Sequence, residues 1–213
     1  MQNDFEKIKL QKNHRVEDKE FSSEVWDLID RADAHDPNVE MVLQHETKSV
    51  EVGPADAQKT LLTCYLGGCN GIFIFTERKD GLRNAILAHH SELKTPFAIG
   101  EIRKELRLQP ERKEAVIKQA IIMVPGIRAW DPAAEKEVLR VAETKFADEI
   151  VKAIRLELGA DVDIKIEPYP EERKDNEKDF GVFVAHIPPA GERTAGYRTW
   201  FSSGEFGLKE VEK

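Results

Sequence analysis

The stretch Leu61–Glu92, LLTCYLGGCNGIFIFTERKDGLRNAILAHHSE, decides how this chain is read. It contains both cysteines of the protein, Cys64 and Cys69, and the adjacent pair His89 and His90. Leu61–Leu66 is rich in β-forming residues and stops at Gly67-Gly68, where glycine admits the positive φ of a sharp turn. Gly71–Thr76 (GIFIFT) is a second apolar extended run, as expected of a strand buried on both faces. Glu77–Gly81 is a charged loop whose Asp80-Gly81 pair is a strong hairpin signal. Asn84–His89 returns as a strand, with Ala85, Leu87 and His89 on one face and Asn84, Ile86 and Ala88 on the other. The hairpin carries Cys69 at the start of one strand and His89 at the end of the next, so the two ends meet.

Working outward, 213 residues suffice for one domain with a substantial core. The net charge of −8 opposes a general nucleic-acid binder, which needs a basic field over phosphates. No apolar run is long enough to span a bilayer. The mixed-charge start MQNDFEKIKLQKNHRVEDKE has no apolar core of a secretory signal. Two cysteines make no disulfide framework, so reduced thiols and a cytoplasmic location are expected.

Residues 1–47 are expected as a charged, partly helical N-terminal extension, with a helix from Ser22 or Ser23 that stops at Asp36-Pro37. Residues 48–208 are expected as the main domain. Val39–Leu43 and Ser49–Val52 read as short strands. Residues 99–109 and 111–119 read as helical, and Ala120–Pro125 as a central strand. Asp131-Pro132 reads as the start of a long helix ending at Gly159, with Val138, Val141, Ala142, Phe146, Ile150, Ile154 and Leu158 as its buried stripe. Val162–Glu167, Gly181–Ile187 and Tyr197–Phe201 read as strands, and residues 168–179 as a solvated loop. Runs of strands broken by helices give an α+β class: a mixed, mainly antiparallel sheet structure packed with two or three helices. No G-x-G-x-x-G joins a strand to a helix, which opposes a dinucleotide fold.

A thiol becomes a nucleophile when an imidazole or oriented N–H groups favour its thiolate. Cys69 follows two glycines, whose backbone N–H groups, with its own, are candidate oxyanion donors at Gly68 and Cys69. His89 is the candidate base, and His90 replaces it if the strand register slips by one. The bland alternative is a buried, inert core cysteine. Cys64, inside a strand and without flanking glycines, fits that description. A metal site on Cys64, Cys69, His89 and His90 is disfavoured, because adjacent strand residues point to opposite faces. No metal or cofactor is expected. His186, Trp130 and Trp200 read as structural.

The run Thr63-Cys64-Tyr65-Leu66-Gly67-Gly68-Cys69 resembles the T-x-x-L-G-S-C motif of the chemoreceptor glutamine deamidases of the CheD type. Ala88-His89 matches the Ala-His pair that brings that family's catalytic histidine. Val50–Gly53 is similar to the strand and glycine that precede the motif, and Gly196–Glu205 to a late G-R-x-V-x-F strand. The same Cys–His architecture occurs in the cytotoxic necrotizing factor toxins. This chain has Gly68 where the family has serine, Ala85-Ile86-Leu87 where it has Gly-Gly, and a longer Cys–His interval. The resemblance implies a CheD-like fold. It also implies a thiol amidohydrolase that deamidates a glutamine of a protein partner through a thioester on Cys69. His89 would be the base and Thr63 the residue that orients it. It further implies a protein substrate with an accessible glutamine, met in the cytoplasm or, for an effector, in a host cell. Another Cys–His hydrolase or acyltransferase, a redox pair of Cys64 and Cys69, and a non-catalytic binding module on the same fold stay open as alternatives.

Overall fold

The computed structural model describes residues 23–64, 66, 68–91, 94–141, 144–170, 181–191, 196–201 and 204–210. The expected N-terminal arm and most of the charged loop 168–179 lie outside them. The strands are β1 (Val39–Met41), β2 (Glu46–Val52), β3 (Lys59–Cys64), β4 (Cys69–Glu77), β5 (Arg83–Ser91), β6 (Ile117–Asp131), β7 (Lys136–Val141), β8 (Asp163–Pro170), β9 (Val182–Ile187), β10 (Gly196–Phe201) and β11 (Gly204–Glu210). The helices are α1 (Ser23–Asp33), α2 (Thr95–Leu108) and α3 (Thr144–Leu158), with a 3₁₀ turn at Pro110–Glu114. The class is α+β, as expected: mixed sheets, mainly antiparallel, covered by three helices among the described residues.

One sheet has the order β1-β3-β9-β10-β11, and the other β2-β5-β4-β6-β7 with β8 parallel to β6. Strand alternation explains the layers. In the second sheet Phe73, Phe75, Ala85 and Leu87 face Leu61, Phe183 and Ala185 of the first, forming the core between the sheets. The alternate residues Ile72, Ile74, Ile86 and Ala88 face Ile102 of α2 and Phe146, Ile150 and Ile154 of α3. On the far side, Leu62, Cys64, Val182 and Val184 are covered by Val25, Leu28 and Ile29 of α1. The order is therefore helix, sheet, sheet, helices. β4 lies between β5 and β6, which is why its run is apolar on both faces.

Three expectations are corrected. The boundary between residues 47 and 48 falls inside β2, and α1, β1 and β2 belong to the same layers as the rest. The apolar face of α1 covers the first sheet, so residues 23–47 are built into the same packed layers. The long helix from Asp131 is a hairpin followed by a shorter helix. Asp131 Oδ1 accepts the N–H groups of Ala133 at 2.9 Å and Ala134 at 3.3 Å. A helix cap and an Asx turn begin with this same bond. Here Glu135 takes φ 49°, and residues 136–141 return along β6. Val138 and Val141 are thus strand residues, and only Phe146 onward forms the helical stripe. Residues 111–119 form one 3₁₀ turn and then enter β6.

Candidate active site

The β4–β5 ladder pairs Cys69 with Ser91, Asn70 with His90, and Gly71 with His89. Cross-strand partners share a face, so Cys69 and His89 both point into the space between the sheets, one step apart on the diagonal. Diagonal neighbours lie about 7–8 Å apart at Cα, which side chains can bridge. Opposite His89, Gly71 has no side chain, and Leu66 packs there at ordinary contact distance from where a Cβ would stand. His90 points the other way. Its Nε2 meets the Thr47 hydroxyl at 3.0 Å and its ring stands edge-on to Phe97, so in this register it is not beside the thiol.

Thr63, on β3 of the opposite sheet, reaches His89. Its hydroxyl donates to the carbonyl of Val42 at 2.7 Å and lies 2.7 Å from His89 Nδ1. A hydroxyl has one proton. With that proton on Val42, the Thr63 oxygen must accept from Nδ1–H, which leaves Nε2 as a bare lone pair. His89 Nε2 is buried with no hydrogen-bond partner. Burial, then the neighbouring His90 and His45, pushes the His89 pKa down to about 3, so the imidazole is neutral at pH 7. His90 is pushed down to about 4 by burial, His45 and Lys94.

Cys69 opens β4 after a tight turn. Its N–H donates to the Leu66 carbonyl at 2.7 Å, and Gly68 has φ 71°, a backbone form that glycine takes without strain. The Cys69 N–H, expected as an oxyanion donor, closes this turn instead. The bend that presents the thiol consumes it. The Tyr169 hydroxyl reaches the carbonyls of Leu66 and Cys69 and clamps the turn from β8. Gln44 Nε2 donates to Cys69 Sγ at 3.0 Å. Neither residue is singled out by the sequence. Tyr169 stood in a segment read as solvated loop, yet it is 2% exposed. Gln44 stood between two short strands with no motif around it, so no signal marked it.

Cys64 lies on the other face of its sheet, under α1, where burial pushes its thiol up to about 12. It does not share the Cys69 face, and no Cys64–Cys69 bridge is present. His186 pairs with Thr60 at 3.1 Å on the α1 side. Trp130 is an exposed rim residue of β6, and the side chain of Trp200 lies outside the described residues. Among the described residues no three His, Cys, Asp or Glu side chains converge as metal ligands, and no helix is long and apolar enough to cross a membrane.

No family model matches the chain, and no curated protein matches it in sequence. Among solved structures it is similar to the C-terminal domain of CNFy from Yersinia pseudotuberculosis, with 9% identity over 80% of this chain and a TM-score of 0.35. The match spans 61% of that domain, less than two thirds of its length. A likeness at this level says nothing about the site residues.

Proposed function

We propose that this protein is a thiol amidohydrolase that deamidates a glutamine side chain of a protein substrate. The observation that carries the reading is the bare, buried Nε2 of His89, held in one tautomer by Thr63, on the face that Cys69 shares. In the reaction, His89 Nε2 takes the Cys69 thiol proton as the sulfur adds to the glutamine Cδ. The C–N bond then breaks, His89 passes the proton to the departing nitrogen, and ammonia leaves a thioester on Cys69. Water adds to the thioester, giving one proton to His89, and the thiolate leaves and recovers that proton. Glutamate is the product. Thr63 keeps Nδ1–H engaged throughout, so Nε2 carries every transfer.

The second reading is a binding module that keeps the fold without the chemistry. The burial of Cys69 and His89, 5% and 2% exposed, is what favours it. Half-buried Gln44 and Gly68 flank the thiol and are the side from which a carboxamide would approach. Carbobenzoxy-glutaminyl-glycine, the protein and hydroxylamine together separate the two readings. The amidohydrolase releases ammonia and yields a hydroxamate trapped from the thioester, and both are lost in Cys69→Ser. A binding module releases none.

A further inference from the structure

We infer that Gln44 is a catalytic residue of this site. Its carboxamide is the donor that holds the Cys69 sulfur as it becomes a thiolate, and then the oxyanion formed when that sulfur adds to a carbonyl. The inference rests on the reading of Cys69 as the nucleophile and adds the electrophilic partner which that reading lacks. Gln44 Nε2 already donates to Cys69 Sγ at 3.0 Å, across 25 residues of sequence. A carboxamide nitrogen carries two hydrogens. It can keep contact with the sulfur while it meets an oxygen on the carbon that the sulfur attacks. Of the two backbone candidates the Cys69 N–H is committed, since it closes the Leu66 turn that Tyr169 clamps.

The segment that carries Gln44 is built into the site on both sides. The Val42 N–H donates to Leu62 and its carbonyl accepts from Thr63, the residue that orients His89. The His45 N–H donates to the carbonyl of His89 itself at 2.6 Å. Between them the Leu43 N–H is held by Glu46 Oε2 at 3.0 Å, and the Glu46 N–H by the Leu43 carbonyl at 3.0 Å. His45 takes φ 71°, a conformation uncommon for residues with a side chain, and so marks a sharp local turn. One turn therefore fixes Thr63, His89 and the amide over Cys69, which is the preorganisation that oxyanion stabilisation requires.

The step balances without a further reactant. The Sγ–C bond forms and the thiol proton passes to His89 Nε2. The carbonyl electron pair moves onto oxygen, which accepts the Gln44 N–H. On collapse the pair returns and the leaving group departs.

The probe is p-nitrophenyl acetate, which acylates a reactive thiol and releases p-nitrophenolate. Its release is followed against pH for the unaltered protein, Gln44→Leu, Gln44→Glu and Cys69→Ser, with thermal midpoints recorded. The expected result for Gln44→Leu is a roughly 100-fold slower acylation at pH 7, with the midpoint of the rise that reports Cys69 ionisation displaced upward and the acid limb set by His89 unmoved. Gln44→Glu displaces it further, because a carboxylate opposes the thiolate. An unchanged pH midpoint in Gln44→Leu overturns the inference, including when rate and thermal midpoint fall together, since that is the mark of a merely structural pin. If Gln44→Leu does not fold, Gln44→Met, of similar length and without an N–H donor or a charge, decides by the same criterion. Turnover that survives Cys69→Ser overturns the nucleophile reading and this inference with it. Turnover lost in Cys69→Ser, with the Gln44 midpoints unmoved, overturns this inference alone.

Discussion

The inner face of the β4–β5 hairpin has two polar ends separated by Phe73, Phe75, Ala85 and Leu87. At the loop end Arg83, 1% exposed, is held by Glu77 at 2.8 Å and by the carbonyls of Pro188 and Pro189. At the open end His89 is equally buried, yet Nε2 has no partner and a thiol stands one diagonal away. A buried cation must be paired, and the loop end obeys that rule in full. A buried lone pair without a donor is a cost that a fold does not need, and such cases concentrate at functional sites. The same ladder thus carries a structural end and a candidate reactive end. The opposite face also has unpartnered buried atoms, on Asn70, Thr76, Asn84 and His90, but no thiol accompanies them.

The largest expected contrast comes from exchanging what each end loses. Cys69→Ser lowers ammonia release by ~10⁴-fold or more while urea unfolding barely moves. Arg83→Met does the reverse. It strands Glu77 and costs about 3 kcal/mol in urea unfolding, with activity per folded molecule retained. An activity loss in Arg83→Met as large as in Cys69→Ser would erase the distinction between the ends. Thr63→Val sharpens it. With no acceptor for Nδ1–H, the fixed tautomer is lost, kcat/KM falls about 10-fold, and stability falls by about 1–3 kcal/mol.

The pH dependence follows from the depressed histidine. His89 has a folded pKa of about 3 against an ordinary value of 6.5, so below pH 6.5 the unfolded chain binds the extra proton. Its contribution to stability is complete above pH 6.5 and is lost as pH falls toward 3, by about 1.4 kcal/mol per unit within that window. His90 acts with the same sign down to about 4. Urea midpoints from pH 7 to pH 4 check this, and His89→Gln makes the slope shallower. The acid limb of kcat/KM lies below the ordinary imidazole range for the same reason. Smallest of all is Cys64→Ala. It removes one packed sulfur under α1, costs about 1 kcal/mol or less, and leaves activity unchanged.

The hairpin was legible because its contacts are local. Alternation in Asn84–His89, the Asp80-Gly81 turn and the glycines before Cys69 place the thiol and the imidazole on one face without knowledge of the rest. Thr63 entered only through the resemblance. Its bond to His89 crosses from one sheet to the other, a relation that no periodicity encodes. Gln44 and Tyr169 were invisible for the same reason. They reach the Cys69 turn from 25 and 100 residues away, through the packing of the two sheets and the pairing of β8 with β6. Asp131-Pro132 misled because a capped helix and an Asx turn share their first bonds, and only the long edge of β6 decided between them.

The central claim is that Cys69 is reactive and His89 makes it so. Iodoacetamide labelling of the native protein at pH 7, with the two cysteine peptides quantified by mass spectrometry, tests it most directly. The account predicts that Cys69 is labelled while Cys64 is spared until unfolding, and that His89→Gln slows Cys69 labelling about 10-fold or more with His90→Gln near the unaltered rate. Equal protection of both thiols, or a Cys69 rate indifferent to His89, would contradict it.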